Sequence, residues 1–175
     1  MRKRFTLLEL LLVISVIAIL AAMLFGAIAA VKRRAMNVES KAKITQLLLA
    51  INSYQTAYNT LPLAGTIASD RPLTPSEYNT LLRCLMADPA RPELNPRREK
   101  FLQNQQELCR DAWAQDFIIT MDYDYDGQIA DSAIHGYDTG DLSTQIAIWS
   151  KGRDRADNPI DTAHDNRDNV TSWQR

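Results

Sequence analysis

Three aspartates, Asp122, Asp124 and Asp126, alternate along the chain and are followed directly by Gly127. Calcium-binding loops space oxygen ligands in this way, and a glycine after the third ligand allows a sharp turn. The pattern is incomplete, because the twelfth position, where an EF-hand carries glutamate, is Ala133. A β-hairpin or a loop without metal is the alternative, since a strand-like run precedes Asp126-Gly127 and this dipeptide is a strong hairpin turn. Both interpretations stay open.

The charge of the chain is split between a basic start and an acidic end. Residues 1–34 carry six Lys/Arg against one Glu, whereas residues 111–175 contain 13 Asp and no Glu against five Lys/Arg. The two histidines, His135 and His164, have no recognisable catalytic spacing to a nucleophile. No distal basic patch suited to nucleic acid is visible. We therefore expect neither an enzyme nor a nucleic-acid-binding protein.

The stretch 62–110 is divided by prolines into short pieces. Cap-then-proline signals at 74–75 and 95–96 predict two helices, which we expect to end near residues 87 and 108. The sequence therefore predicts a Pro-rich helical insertion here.

The two cysteines, Cys84 and Cys109, lie too far apart in sequence for a zinc-type CxxC pair. They are also too few for a scaffold built on disulfides. One optional disulfide between them is the most that they suggest, and buried thiols are the alternative.

An apolar segment near the amino terminus is long enough to be a membrane helix. From Leu10 to Val31 the only polar side chain is Ser15, and 22 helical residues cover roughly 33 Å. Glu9 lies within the apolar stretch that starts at Phe5, and a carboxylate there usually marks function because it needs a cation. The alternative is that Glu9 lies at a membrane interface and reaches water.

Residues 5–9, with the sequence FTLLE, follow the basic run RKR and continue into the apolar segment. This combination closely resembles the cleavage and methylation segment of type IV pilins and type II secretion pseudopilins. The resemblance implies that a prepilin peptidase cuts between Arg4 and Phe5 and methylates the new Phe5 amine. It also implies that Glu9 pairs with the amino terminus of a neighbouring subunit during assembly. The family normally has glycine before the cut, where this chain has Arg4.

The resemblance and the helical period together predict an α+β, pilin-like fold. After a leader at 1–4, a transmembrane and assembly half at 5–31 continues into an amphipathic half at 32–61. Apolar positions recur there at three- and four-residue steps, at Ile44, Leu47, Leu48, Ile51, Tyr54 and Tyr58. The family packs such a helix against a small antiparallel sheet, which we place in residues 111–175.

The end of the chain is similar to the major pseudopilins of type II secretion, in which an Asp-rich loop before a near-terminal tryptophan closes over calcium. By position, the resemblance implies ligands at Asp154, Asp165 and Asp168, with Asn169 as a further one. Independently of the family, converging carboxylates repel one another unless a cation neutralises them. A hard, oxygen-ligated cation outside the cell is most simply calcium.

The function that the resemblance implies is structural. The chain would be a type II secretion pseudopilin, anchored by one span in the bacterial inner membrane with its C-terminal domain in the periplasm, and would assemble into a filament that supports protein export. Expected partners are further copies and other pilin-like subunits, the prepilin peptidase, the inner-membrane assembly platform and membrane lipid. The alternatives are a type IV pilus or DNA-uptake pilin, or an uncleaved, membrane-anchored periplasmic domain that binds calcium.

Overall fold

The computed structural model describes residues 7–103, 109–134, 140–158, 166 and 168–173, and at 23–27 only the helical backbone. The chain divides into two compact units, Met1–Met36 and Asn37–Arg175. The helices are α1 (Leu7–Tyr58) and α2 (Pro75–Leu85), the strands are β1 (Ile118–Met121), β2 (Ile146–Ser150) and β3 (Val170–Thr171), and two 3-10 turns cover Pro92–Leu94 and Asp131–Ala133. The predicted α+β class, with a small antiparallel sheet, is confirmed.

The first unit contains the beginning of α1, which is apolar on every side. Leucine and alanine favour a helix, and no proline interrupts the run. Every large apolar side chain from Leu7 to Leu20 is between 47% and 83% exposed. The described part of this unit therefore buries little of its apolar surface.

The prediction of a membrane-spanning half at 5–31 is wrong. In the part of the chain that the structure describes, no helix is both long and apolar enough to cross a bilayer. The predicted single-pass inner-membrane location, with a periplasmic C-terminal domain, is overturned with it, as is the membrane-anchored alternative.

In the second unit the remainder of α1 is amphipathic. Its residues Ile44, Leu47, Ile51 and Tyr54 are buried at the three- and four-residue spacing that places them on one face. The helix ends where Asn59 takes a left-handed conformation, with φ of 55°, and donates its backbone N–H to Gln55 O at 2.7 Å. One face of the helix thus contributes to the main core.

The insertion packs α2 on this core. Thr74 and Glu77 form a capping box at the start of α2, which buries Tyr78 and Leu81 among other residues. The second predicted helix does not form over the described residues 95–103. The reason is that Asn95 is buried and its amide donates to Cys84 O at 2.9 Å, so it completes the end of α2 instead of opening a helix.

The three strands form an antiparallel sheet in the order β1-β2-β3, with Ile119 opposite Ile148 and Trp149 opposite Thr171. The central strand β2 is buried along its whole length. Ile146 and Ile148 face the helices, whereas Ala147 and Trp149 belong to a second cluster on the other side. The sheet therefore has a core on both faces.

The hairpin interpretation of Asp126-Gly127 is wrong, because β1 ends at Met121 and pairs with β2 instead. Directly after β1, the carboxylate of Asp122 accepts a hydrogen bond from Gly127 N at 3.0 Å. This bond closes residues 122–127 into a loop.

Candidate metal centre at the end of the first strand

Four carboxylates converge directly after β1. They belong to Asp122, Asp124 and Asp126 of the 122–127 loop and to Asp70, and one oxygen from each lies within 4.8 Å of the others. Asp122 is fully buried, Asp70 is half-buried, and Asp124 and Asp126 are exposed. The cluster therefore has a buried end and an end open to water.

Backbone hydrogen bonds give the loop its curvature. Asp124 Oδ1 accepts from Asp126 N at 3.3 Å, and Asp126 Oδ1 accepts from Gln128 N at 2.8 Å. Gly127 has a φ of 86°, a conformation that side chains rarely adopt and that the sequence provides for with glycine. The alternating aspartates are thereby held on the inside of the turn.

Asp70 is the ligand candidate that the sequence did not reveal. It lies in the connection between α1 and α2, and its Oδ1 accepts a hydrogen bond from Tyr123 N at 2.8 Å. No sequence spacing relates it to residues 122–126. The only signal was indirect: the loop lacks the glutamate expected at its twelfth position, so a further carboxylate has to come from elsewhere.

Burial and mutual repulsion disfavour a cluster in which all four carboxylates are ionised and no cation is close to them. Burial raises the pKa of Asp122 above its ordinary value, and the bond from Gly127 N only partly offsets this. Burial also raises the pKa of Asp70, with a contribution from the nearby negative charge of Asp124. Among the described residues no lysine or arginine forms an ion pair with the four.

The nearest arginine in sequence has another partner. Arg71 follows Asp70 directly, but its guanidinium donates to both carboxylate oxygens of Glu77, at 2.9 Å and 2.6 Å. Meanwhile Oδ1 of Asp122 is shielded from solvent and has no hydrogen-bond partner. A buried carboxylate oxygen in that position is costly unless a cation meets it.

The ligand set implied at the end of the chain is arranged differently. Asp168 Oδ2 accepts hydrogen bonds from the backbone N–H groups of Arg153 and Asp154, at 2.6 Å and 3.1 Å. Asp154 Oδ1 in turn accepts from Ala156 N at 2.9 Å. Asn169 has a buried Oδ1 without a partner, and Asp165 lies outside the described residues. Within the described chain, Asp154 and Asp168 join no group of three or more acidic, histidine or cysteine ligands.

The other predicted site residues are those of the processing motif and the two cysteines. Arg4 and Phe5 lie outside the described residues, while Glu9 is exposed in the first turn of α1. Cys84 and Cys109 do not form the optional disulfide. Cys84 is buried, its Sγ donates to Leu94 O at 3.1 Å, and burial raises the pKa of this thiol to about 11. It is a packed side chain of the core.

The chain matches no protein-family model, no curated protein and no solved structure. Its function is therefore argued from its own residues.

Proposed function

We propose that the chain is a structural subunit of a pilin-like filament of the type II secretion pseudopilin class, in which the first unit packs against the same unit of neighbouring copies. One observation supports this most: the large apolar side chains from Leu7 to Leu20 are all exposed. A helix that is apolar on every side is normally buried. Monomers rarely expose apolar patches of more than about a few hundred Å².

The second support is the motif at residues 5–9. Cleavage before Phe5, as the resemblance to pilins implies, creates an amine four residues ahead of Glu9 in the sequence. Each copy then carries both the cation and the carboxylate of an intermolecular pair. Joining the amine of one copy to Glu9 of the next is a head-to-tail contact, and such contacts build helical filaments when they do not close into a ring.

The architecture is compatible with this role. A single helix, α1, runs from Leu7 to Tyr58, and its later part packs against a unit with a small antiparallel sheet. That combination is what we mean by pilin-like. The filament would be held together by contacts between the first units of neighbouring copies.

Processing is the first step to test. We expect the chain, produced together with a prepilin peptidase, to have the intact mass of a protein that starts at N-methylated Phe5. A mature chain that still starts at Met1 would contradict the pilin route, since the amine that pairs with Glu9 would not exist.

Assembly is tested by variants of the helix surface. Leu12→Lys should reduce the filaments recovered by high-speed sedimentation at least about tenfold, because a charge replaces an apolar contact worth about 2 kcal/mol or more. Leu49→Lys is the matched control, since Leu49 is 66% exposed on α1 but lies in the second unit. Glu9→Leu should also abolish assembly. Normal filaments from Leu12→Lys or Glu9→Leu would contradict the proposal.

The partner is identified by a photo-crosslinking residue at position 12. Adducts at multiples of the subunit mass are expected if copies pack against one another. Adducts with a different protein alone would contradict self-assembly. Long surface fibres instead of short ones would assign the chain to a type IV pilus or DNA-uptake filament within the same class.

A further inference from the structure

We propose that Asp70, Asp122, Asp124 and Asp126 bind one calcium ion, with Asp70 taking the place of the glutamate that the loop lacks at its twelfth position. The site lies within the second unit and does not depend on filament assembly.

The distances fit a single ion of this size. Calcium binds oxygen at about 2.3–2.6 Å, so two oxygens that share one ion lie at most about 5 Å apart. The four carboxylates each offer an oxygen within 4.8 Å of the other three. Four oxygens can therefore reach one ion without a change of the backbone.

The buried oxygen of Asp122 is the independent indication that a ligand is bound. Asp122 is fully buried, yet its Oδ1 has no hydrogen-bond partner, while Oδ2 accepts from Gly127 N. Buried polar groups almost always have a partner. A cation among the four carboxylates provides one for Asp122 and removes the mutual repulsion of the others.

The chemistry of the ligands selects the metal. All four are carboxylates, which suit hard cations, and the group contains neither histidine nor cysteine, the usual zinc ligands. Magnesium keeps most of its waters and is usually bound by only one or two carboxylates. Calcium takes six to eight oxygens. The four carboxylates supply part of this set, and water can supply the rest at the open end of the cluster, where Asp124 and Asp126 are exposed.

The ion would connect two distant parts of the chain. Asp70 belongs to the connection after α1, whereas the other three ligands follow β1. Neighbouring contacts already join the same parts: Tyr123 Oη donates to Pro62 O at 3.1 Å, and Leu61 N donates to Tyr125 Oη at 3.1 Å. Calcium would therefore fasten the end of α1 to the edge of the sheet.

The test measures calcium binding to the full-length chain, purified in detergent and freed of metal with a chelator. Titration calorimetry should show binding, and saturating calcium should raise the melting temperature by several degrees, with magnesium far less effective. Asp70→Asn should lower the calcium affinity at least tenfold, and Asp122→Asn should remove this site. Both variants preserve side-chain size, and their metal-free melting curves report whether they fold.

Two controls carry the same change of charge. Asp116→Asn alters an exposed aspartate of the second unit outside the cluster, and Asp154→Asn alters the loop at the end of the chain. Both should bind calcium as the unaltered protein does. The proposal is overturned if the unaltered chain binds no calcium at millimolar concentration, or if Asp70→Asn, folded, binds it with unchanged affinity.

Discussion

The second unit contains two acidic loops that use aspartate in opposite ways. At the 122–127 loop, three carboxylates of the loop converge with that of Asp70, and Oδ1 of Asp122 is buried without a partner. In the terminal turn at 150–154, two backbone N–H groups donate hydrogen bonds to one carboxylate oxygen of Asp168. Backbone N–H groups donate to aspartates in both loops, but only the 122–127 loop leaves a buried aspartate oxygen, Oδ1 of Asp122, without a donor. A metal site is indicated where several carboxylates converge around a buried oxygen that has no donor.

In the terminal turn the chain segments of Gly152 and Asp168 approach each other closely. Gly152 has a φ of 69°, and a Cβ there would lie 2.4 Å from Asp168 O. The two chain segments therefore touch through backbone atoms. Protein contacts close this turn, whereas we propose that calcium closes the other.

The largest effect expected from this difference is that of Gly152→Ala. The left-handed backbone and the clash with Asp168 O together predict a loss of about 3 kcal/mol or more in the free energy of unfolding. Denaturant melts with calcium and with chelator should show the same loss. Gly65→Ala is the control, because a Cβ at Gly65 meets nothing within 4 Å, and it should change stability by less than about 1 kcal/mol.

If the loss caused by Gly152→Ala, measured against the unaltered chain, were smaller with calcium than with chelator, the comparison would break, since the terminal turn would then itself contain an ion. An equal loss of stability with calcium and with chelator would support the distinction between the two loops.

Asp168→Ala is expected to cost less, about 1–2 kcal/mol, because Arg153 N and Asp154 N lose their acceptor but can turn to water. Asp168→Asn keeps an acceptor oxygen and should cost less still. Calcium affinity should be unchanged in both variants, as measured by the same calorimetric titration.

A fall in calcium affinity in Asp168→Ala as large as that in Asp70→Asn would reverse the assignment of the two loops. It would restore the ligand set that the resemblance to pseudopilins implies at the end of the chain.

The local features of the fold were predictable because they depend on neighbours in the sequence. The capping box of Thr74 and Glu77 opens α2 as its spacing predicts. The α+β class was predicted from the helical period together with the resemblance to pilins, and the structure has the small antiparallel sheet. The predicted hairpin at Asp126-Gly127 was wrong. Gly127 N donates instead to the carboxylate of Asp122, five residues earlier, and a hydrogen bond of this kind is not visible in the pattern of the turn.

The site was predictable only in part, for the same reason. Alternation identified Asp122, Asp124 and Asp126, but Asp70 reaches them only through the packing of the connection after α1. Which oxygen of an aspartate finds a donor is likewise a property of the fold. That is why the sequence could suggest Asp154 and Asp168 as ligands, whereas the structure places the carboxylate of Asp168 on backbone N–H groups.

Glu77 gives the smallest and most specific prediction, because it is a carboxylate that already has a cation. Its bonds to Arg71 lower its pKa from 4.5 to about 2 against the opposing effect of burial, and bonds from Thr74 add to the shift. The folded state therefore binds fewer protons than the unfolded state between these pKa values, so stability falls as the pH drops through this range. Since Arg71 is 40% exposed, solvent screens the pair, and Glu77→Gln should cost only about 1 kcal/mol at pH 7.

The pH dependence separates the charge of Glu77 from its packing. Melting curves of the unaltered chain and of Glu77→Gln should differ at pH 7 and converge as the pH falls towards 2, because protonated glutamate and glutamine are both neutral. Glu93→Gln is the control, since Glu93 is 59% exposed and lies 3.5 Å from Arg91, and it should have almost no effect. If the melting temperatures of the two chains still differ at low pH, packing and not charge would account for the stabilisation by Glu77. The contrast with Asp122, a buried carboxylate without a cation, would then lose its electrostatic basis.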